Sequence, residues 1–123
     1  EYNNAQFQAL DMVAGFLDPE LGGSPRYLDI IGVNYYPNNQ WFDHGRSVFF
    51  EESDYRPFHK VLMDVYQRYG RTLFISETGT EDGARPRWLN YMGRECCKAL
   101  DAGIPLEGLC LYPIVNHPGW DND

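Results

Sequence analysis

Basic residues are scarce in this chain. Ten Lys and Arg stand against eighteen Asp and Glu, a net charge of −8 over 123 residues. A phosphate backbone or an anionic membrane surface would be repelled by that balance, so neither nucleic acid nor membrane is an expected partner. The acid excess reads as solubility. Cysteine is short as well: Cys96, Cys97 and Cys110 are the only three. An odd count with two neighbours adjacent excludes a disulfide framework and the paired spacing of a structural zinc site. All three are expected to serve as small core hydrophobes in a reducing, cytoplasmic setting. No apolar run approaches the roughly 18 residues of a membrane span, and no signal peptide opens the chain. Neither G-x-G-x-x-G nor G-x-x-x-x-G-K-[ST] follows an expected strand, and the nearest loop, Gly79 to Gly83, carries Glu81 and Asp82, which would repel phosphate. His44 and His59 have no partner at metal-ligand spacing, so no metal and no cofactor is expected.

What is present is apolar and aromatic: 43% hydrophobic residues and 15% Phe, Trp and Tyr, enough for one compact core. A helix is expected over residues 5–17, with Phe7, Leu10, Val13, Ala14 and Leu17 on one face. Asp18-Pro19 and the Gly22-Gly23-Ser24-Pro25 stretch stop it. Leu28 to Tyr36 is an apolar, β-branched run that alternates poorly, which predicts a strand buried on both faces, as in parallel sheets. A long aromatic connection from Pro37 to Asp54 follows, of a length that is usually functional. The second helix opens near Pro57 with Asp54 close to a capping position. Phe58, Val61, Leu62, Val65, Tyr66 and Tyr69 form its stripe, and Gly70 stops it. Arg71 to Glu77 is the second strand. The third helix starts around Pro86, with Trp88, Leu89, Met92, Cys96, Ala99 and Leu100 on its face, and Leu106 to Tyr112 is the last strand. Helix and strand alternate three times, the βα repeat of a parallel sheet.

Ligands of such sheets bind outside the carboxyl ends of the strands. Those ends offer Asn34, Tyr35 and Tyr36 with Trp41 soon after, then Ser76, Glu77 and Thr78, and finally Tyr112, Asn116, His117 and Trp120. One carboxylate, several aromatics and amide or imidazole groups form a carbohydrate-like vocabulary, because sugar rings stack on aromatics and their hydroxyls seek hydrogen bonds. Glu77 ends a hydrophobic strand, and Tyr36 at the neighbouring strand end could donate a hydrogen bond that fixes its carboxylate and keeps it ionised. Position alone also allows Glu77 to cap the next helix or pair with a surface Arg. Glu81 and Asp82 are expected to be solvated, and Glu51, Glu52 and Asp54 to serve the dipole of the following helix. Asp29 and Glu107 fall near strand starts, away from the binding end.

At these residues the sequence resembles a known family. Asp29 to Tyr36, DIIGVNYY, is similar to the sixth-strand segment DFIGxNYY of family 1 β-glucosidases; Ile75 to Gly79, ISETG, resembles their nucleophile motif I-T-E-N-G; and Phe16 to Gly23, FLDPELGG, resembles the FLDP segment before the sixth strand. Order and spacing of the three agree with that family. The resemblance implies an α/β fold, a partial (β/α)8 TIM barrel in which residues 1–123 supply three parallel strands, the sixth to eighth, with their helices. It implies a clan A retaining β-glycosidase acting on a β-linked glycoside or oligosaccharide, with Glu77 as nucleophile, Tyr36 bonded to it, and Asn34 lining the sugar site. Trp41, His117 and Trp120 are expected as further substrate contacts. The two carboxyls of such enzymes lie roughly 5–5.5 Å apart.

The departures are specific. Thr78 stands where the family has Asn, and LYPIVNHPGWDND replaces its W-S-L-x-D-N-F-E-W-like run. The acid/base motif N-E-P does not occur in these residues. Without that acid a rate contribution of about 10²–10⁴ is missing, so the chain alone is expected to be inactive on ordinary glycosides. A non-catalytic carbohydrate-binding barrel relative is the alternative, and a metal-dependent hydrolase using Asn116, His117 and Asp121 the weakest rival. The open edges of a half-barrel leave dimerisation through exposed strands as an option.

Overall fold

Helices form where apolar residues recur every three to four positions, and strands where they run β-branched. The computed structural model describes residues 2–116, so His117, Trp120 and Asp121 lie outside the described residues. The chain divides into two units, Glu1–Ile31 and Gly32–Asp123. No described helix is long and apolar enough to cross a membrane.

In the first unit the helix expected over residues 5–17 is two pieces, α1 (Tyr2–Ala5) and α2 (Gln8–Ala14). Gly15 ends α2 in the left-handed region at φ 73°, donating to the Asp11 and Met12 carbonyls. Its buried face is Phe7, Asp11 and Ala14, while Val13 is exposed, so the stripe is turned from the expected one. Two short 3-10 turns follow, Pro19–Leu21 and Pro25–Tyr27. The intervening glycine pair lets the chain fold back on the helix end. Ser24 N–H donates to the Val13 carbonyl at 2.8 Å, and a Cβ on Gly23 would lie 2.0 Å from the Met12 oxygen.

The boundary between the units falls within β1 (Ile30–Asn34). β1, β2 (Thr72–Thr78) and β3 (Leu106–Leu111) form a three-stranded parallel sheet in the order β1-β2-β3. α3 (Phe58–Tyr69) precedes β2, and α4 (Arg85–Asp101) joins β2 to β3. The two helices pack on each other, α3 against β2 and α4 against β3. Leu73 and Ile75 are fully buried, and Phe58, Leu62 and Met92 complete that core. The expectation of strands covered on both faces does not hold. Exposed and buried residues alternate along β1, and α3 and α4 pack on one side of the sheet.

Three further expectations need correction. Leu89 and Leu100 of α4 are exposed, and Tyr91 and Glu95 are buried in their place. Tyr91 belongs to a ring cluster with Trp88 and Phe50, at centroid distances of 5.3 and 4.7 Å, which draws that face inward. The cysteines are not core hydrophobes either: Cys97 and Cys110 are exposed and Cys96 is half-buried. Asp54 does not cap α3, and neither does any local side chain. The first amides of α3 are instead satisfied from α4. Phe58 N–H donates to the Tyr91 hydroxyl at 3.0 Å, and His59 N–H donates to Glu95 Oε2 at 3.1 Å. An anion there also complements the helix dipole.

Glu95 is the one buried carboxylate that bridges α3 and α4. Besides the His59 amide it takes the His59 ring at Nδ1 (2.5 Å) and Lys98 Nζ (2.6 Å). His59, given no role by spacing alone, therefore has a structural one. Burial pushes the Glu95 carboxyl up, but the bonds from Lys98 and His59 outweigh it and hold the group below the usual carboxylate range. A lowered pKa contributes stability that is present above the unfolded value and lost as pH falls through the folded one. Glu95→Gln is therefore expected to unfold about 1–3 kcal/mol more easily at neutral pH, and to lose less stability than the parent between neutral and acidic pH. Urea unfolding across that range tests this, and parallel pH curves for the two proteins would refute it.

Candidate active site

Period-two alternation decides which side of the sheet each residue of β1 serves. Tyr35 and Tyr36, just past its end, face opposite ways. Tyr35 goes to the helix side, 5% exposed, its ring stacked on Phe58 at 4.1 Å. Asn34 and Tyr36 belong to the other side, away from α3 and α4.

β2 does not alternate strictly. Its register with β3 runs Leu73↔Leu106, Ile75↔Leu109 and Thr78↔Leu111, with an irregularity between Ile75 and Thr78. Leu73 and Ile75 are buried, and the next buried residue is Thr78, not Glu77. Simple alternation would have put Glu77 in phase with Leu73 and Ile75, under the helices. The slip moves it to the open side with Ser76, and Thr78 takes the helix-facing place. Strand irregularities of this sort re-aim side chains beside functional sites. Thr78 is fully buried and accepts from the Trp88 indole N–H at 3.0 Å. The Thr-for-Asn departure from the resembled motif therefore falls on the helix side of the sheet.

On the open side the Tyr36 hydroxyl donates to Glu77 Oε1. Partial burial first, and then the neighbouring Glu77 carboxylate, push the Tyr36 phenol well above the ordinary tyrosine value, so it stays protonated and able to donate. Beside this pair the Ser76 hydroxyl donates to Asn34 Oδ1 at 2.7 Å. That bond engages the Asn34 amide oxygen. Gly32 makes the close approach possible, since a Cβ there would lie 2.8 Å from Ser76 Oγ. Backbone bonds pin the three strand ends together: Tyr35 N–H to the Glu77 carbonyl, and Tyr112 N–H to the Thr78 carbonyl, both 2.9 Å.

Four of the residues singled out at the strand ends thus come together, Asn34 with Ser76 and Tyr36 with Glu77. Glu77 neither caps the next helix nor pairs with an Arg in the contacts described. Trp41 lies in the loop after β1, bridged to Ser47, with 64% of its surface exposed and no hydrogen bond to the others. His117 and Trp120 lie outside the described residues. Asn116 is held by Arg85 and Asp82: Arg85 Nη2 donates to its Oδ1 at 2.7 Å, and its own amide donates to Asp82 Oδ1. That occupies the Asn116 oxygen needed by a metal-ligand reading and gives Asp82 a partner in place of solvent. Among the described residues no three His, Cys, Asp or Glu side chains cluster as a metal site. Glu52 accepts from Arg46 at 2.8 Å and from Phe49 N–H, so it folds its own loop and does not serve the α3 dipole. Sequence reasoning missed the Ser76 contact, although a hydroxyl next to Glu77 at a strand end was signal enough.

No family model matches the sequence, and no curated protein does. Solved structures do. The β-glycosidase from Thermosphaera aggregans matches at 26% identity and a TM-score of 0.52, over 69% of this chain and 23% of its own. A family 1 β-glucosidase from Thermotoga maritima matches at 20% identity and 0.54, over 75% and 26%. A hyperthermophilic β-glucosidase mutant that forms a dodecamer in the crystal matches at 17% identity and 0.65, over 95% and 30%. The chain spans about a quarter to a third of these structures, and its fold resembles part of a β-glucosidase TIM barrel.

Gly79, the glycine of the resembled motif, should tolerate no side chain, because a Cβ there would lie 2.0 Å from the Tyr112 carbonyl oxygen. Gly79→Ala is expected to cost about 2 kcal/mol or more by forcing two backbones apart. Gly83→Ala, with open space around its Cβ, should change stability little. Chemical denaturation of the two variants decides the matter: equal stabilities would mean the two loops are not packed as described.

Proposed function

We propose that this chain is the sixth-to-eighth-strand part of a retaining β-glycosidase barrel, with Glu77 as its nucleophile and Tyr36 as the group that orients it. The observation that carries this reading is the Tyr36 hydroxyl donating to the Glu77 carboxylate at adjacent strand ends, on the side of the sheet away from α3 and α4. Glu77 Oε attacks the anomeric carbon of a β-linked glycoside as the bond to the leaving oxygen breaks. Water then attacks the covalent glycosyl-enzyme and regenerates the carboxylate, with retention of configuration. The Tyr36 phenol, too weak an acid to surrender its proton, keeps Glu77 oriented. Asn34, its oxygen taken by Ser76, offers N–H donors to a sugar hydroxyl, and Trp41 offers an apolar ring face. His117 and Trp120 remain proposed sugar contacts on sequence grounds. The glycoside substrate is inferred from the β-glycosidase and β-glucosidase structures that the fold resembles.

Departure of an ordinary alkoxide also needs a proton, and no N-E-P acid/base motif stands in the sequence. By itself the chain is therefore proposed to be inactive on unactivated glycosides. The second reading is a barrel that binds carbohydrate without hydrolysing it, and the acid/base strand of the whole barrel would separate the two. Three free thiols, two of them exposed, support a reducing, cytoplasmic location. β1 and β3 are the outer strands of the described sheet, and their edges could pair with a second copy.

The test uses a complete barrel that carries this chain as its last three strands. Glu77→Ala should lower aryl β-glycoside hydrolysis by several orders of magnitude. Azide, small enough to enter the vacated space, should restore turnover and give the α-glycosyl azide, because it attacks from the face Glu77 occupied. A parent inert on every aryl glycoside, whose carbohydrate affinity survives Glu77→Ala, would favour the binding reading instead.

A further inference from the structure

Gln40 was not singled out by the sequence, yet its side chain makes three hydrogen bonds that close a circuit behind the Tyr36–Glu77 pair. Its Oε1 accepts the Arg56 N–H at 2.9 Å and its Nε2 donates to the Arg56 carbonyl at 2.7 Å, so one carboxamide reads both sides of one residue. The same Nε2 donates to the Tyr35 hydroxyl at 2.6 Å. Every polar position of the carboxamide is used except one lone pair.

The circuit continues inward. The Tyr35 hydroxyl shares a 2.8 Å hydrogen bond with the Tyr55 hydroxyl, both residues being buried. Tyr55 meets Tyr91 edge to face at 6.0 Å, and the Tyr91 hydroxyl accepts from Phe58 N–H. Phe58 carries the ring on which Tyr35 stacks. Gln40 thus fastens both ends of the β1–α3 connection to Tyr35, and Tyr35 to the start of α3. The Tyr36 amide is held as well, donating to Asn39 Oδ1 at 2.5 Å.

Consecutive residues past a strand cannot move independently. Tyr35 fixes its ring on the helix side and its N–H on the Glu77 carbonyl, so the direction of the Tyr36 side chain follows from where Tyr35 is held. We propose that Gln40 is a positioning residue for the Tyr36–Glu77 pair, acting through Tyr35. It touches neither Glu77 nor any reacting atom. The proposal rests on the reading of that pair as the catalytic one, but its geometry can be tested apart from that chemistry.

The test is solution NMR on the 123-residue chain. The Tyr36 hydroxyl proton held by Glu77 is identified as the downfield resonance lost in Tyr36→Phe. In Gln40→Ala and in Tyr35→Phe its exchange with water is expected to accelerate about tenfold or more relative to the Ile75 amide, because the pair opens without the sheet opening. Tyr35→Phe keeps the ring on Phe58 and removes the oxygen that Gln40 and Tyr55 share; Tyr55→Phe leaves the Gln40 bond in place and should not accelerate exchange at Tyr36, so the pair of variants carries the test if Gln40→Ala does not fold. Unchanged exchange at Tyr36 in a folded variant overturns the proposal. So does equal acceleration at Tyr36 and Ile75, which is what a merely stabilising residue would give. Azide rescue of Glu77→Ala in the barrel reads the chemistry separately: exchange as expected with no rescue would leave Gln40 as a positioning residue of a pair that is not catalytic.

Discussion

The arrangement of the site depends on one slip of register in β2. Strands alternate, and a strand that buries Leu73 and Ile75 should bury the residue at 77 too. A glutamate there would sit under α3 and α4, where an unpaired carboxylate is costly. The irregularity between Ile75 and Thr78 removes the conflict. It gives the helix side a threonine whose hydroxyl meets the Trp88 indole, and it gives the open side the carboxylate. The same half-step therefore serves the core and the site at once.

The two sides of the sheet are joined through neighbouring tyrosines. Tyr36 holds Glu77; Tyr35 is locked among Phe58, Tyr55 and Gln40. Behind them, the start of α3 is capped from α4 by the Tyr91 hydroxyl and the Glu95 carboxylate. Helix pairing, loop anchoring and the orientation of Glu77 are thus linked through a chain of hydrogen bonds and ring contacts.

Much of this was legible in the sequence, and what was not shares a cause. The three strands and their helices followed from hydrophobic runs and periodicity, and Gly70 stops α3 as its position suggested. Tyr36 beside Glu77 followed from the strand-end rule. The misread features involve partners far apart in the chain: Glu95 reaches back 36 residues to His59, and Tyr91 33 residues to Phe58. A periodicity argument sees one helix at a time, so it placed Leu89 and Leu100 inside and left Glu95 out. Local capping rules likewise pointed to Asp54, when the real caps come from another helix. The slip in β2 is invisible to any pattern that assumes alternation.

Tyr35 and Tyr36 are chemically the same residue with opposite duties, and only parity tells them apart. A single residue inserted or deleted between Gly32 and Tyr36 would exchange those duties, turning the wrong phenol toward Glu77 while scarcely changing composition. The turn at Asp43 to Gly45, whose backbone closes on itself through Phe42 and Arg46, has no such parity to keep. Length variation during descent should therefore gather in that turn and be nearly absent from β1.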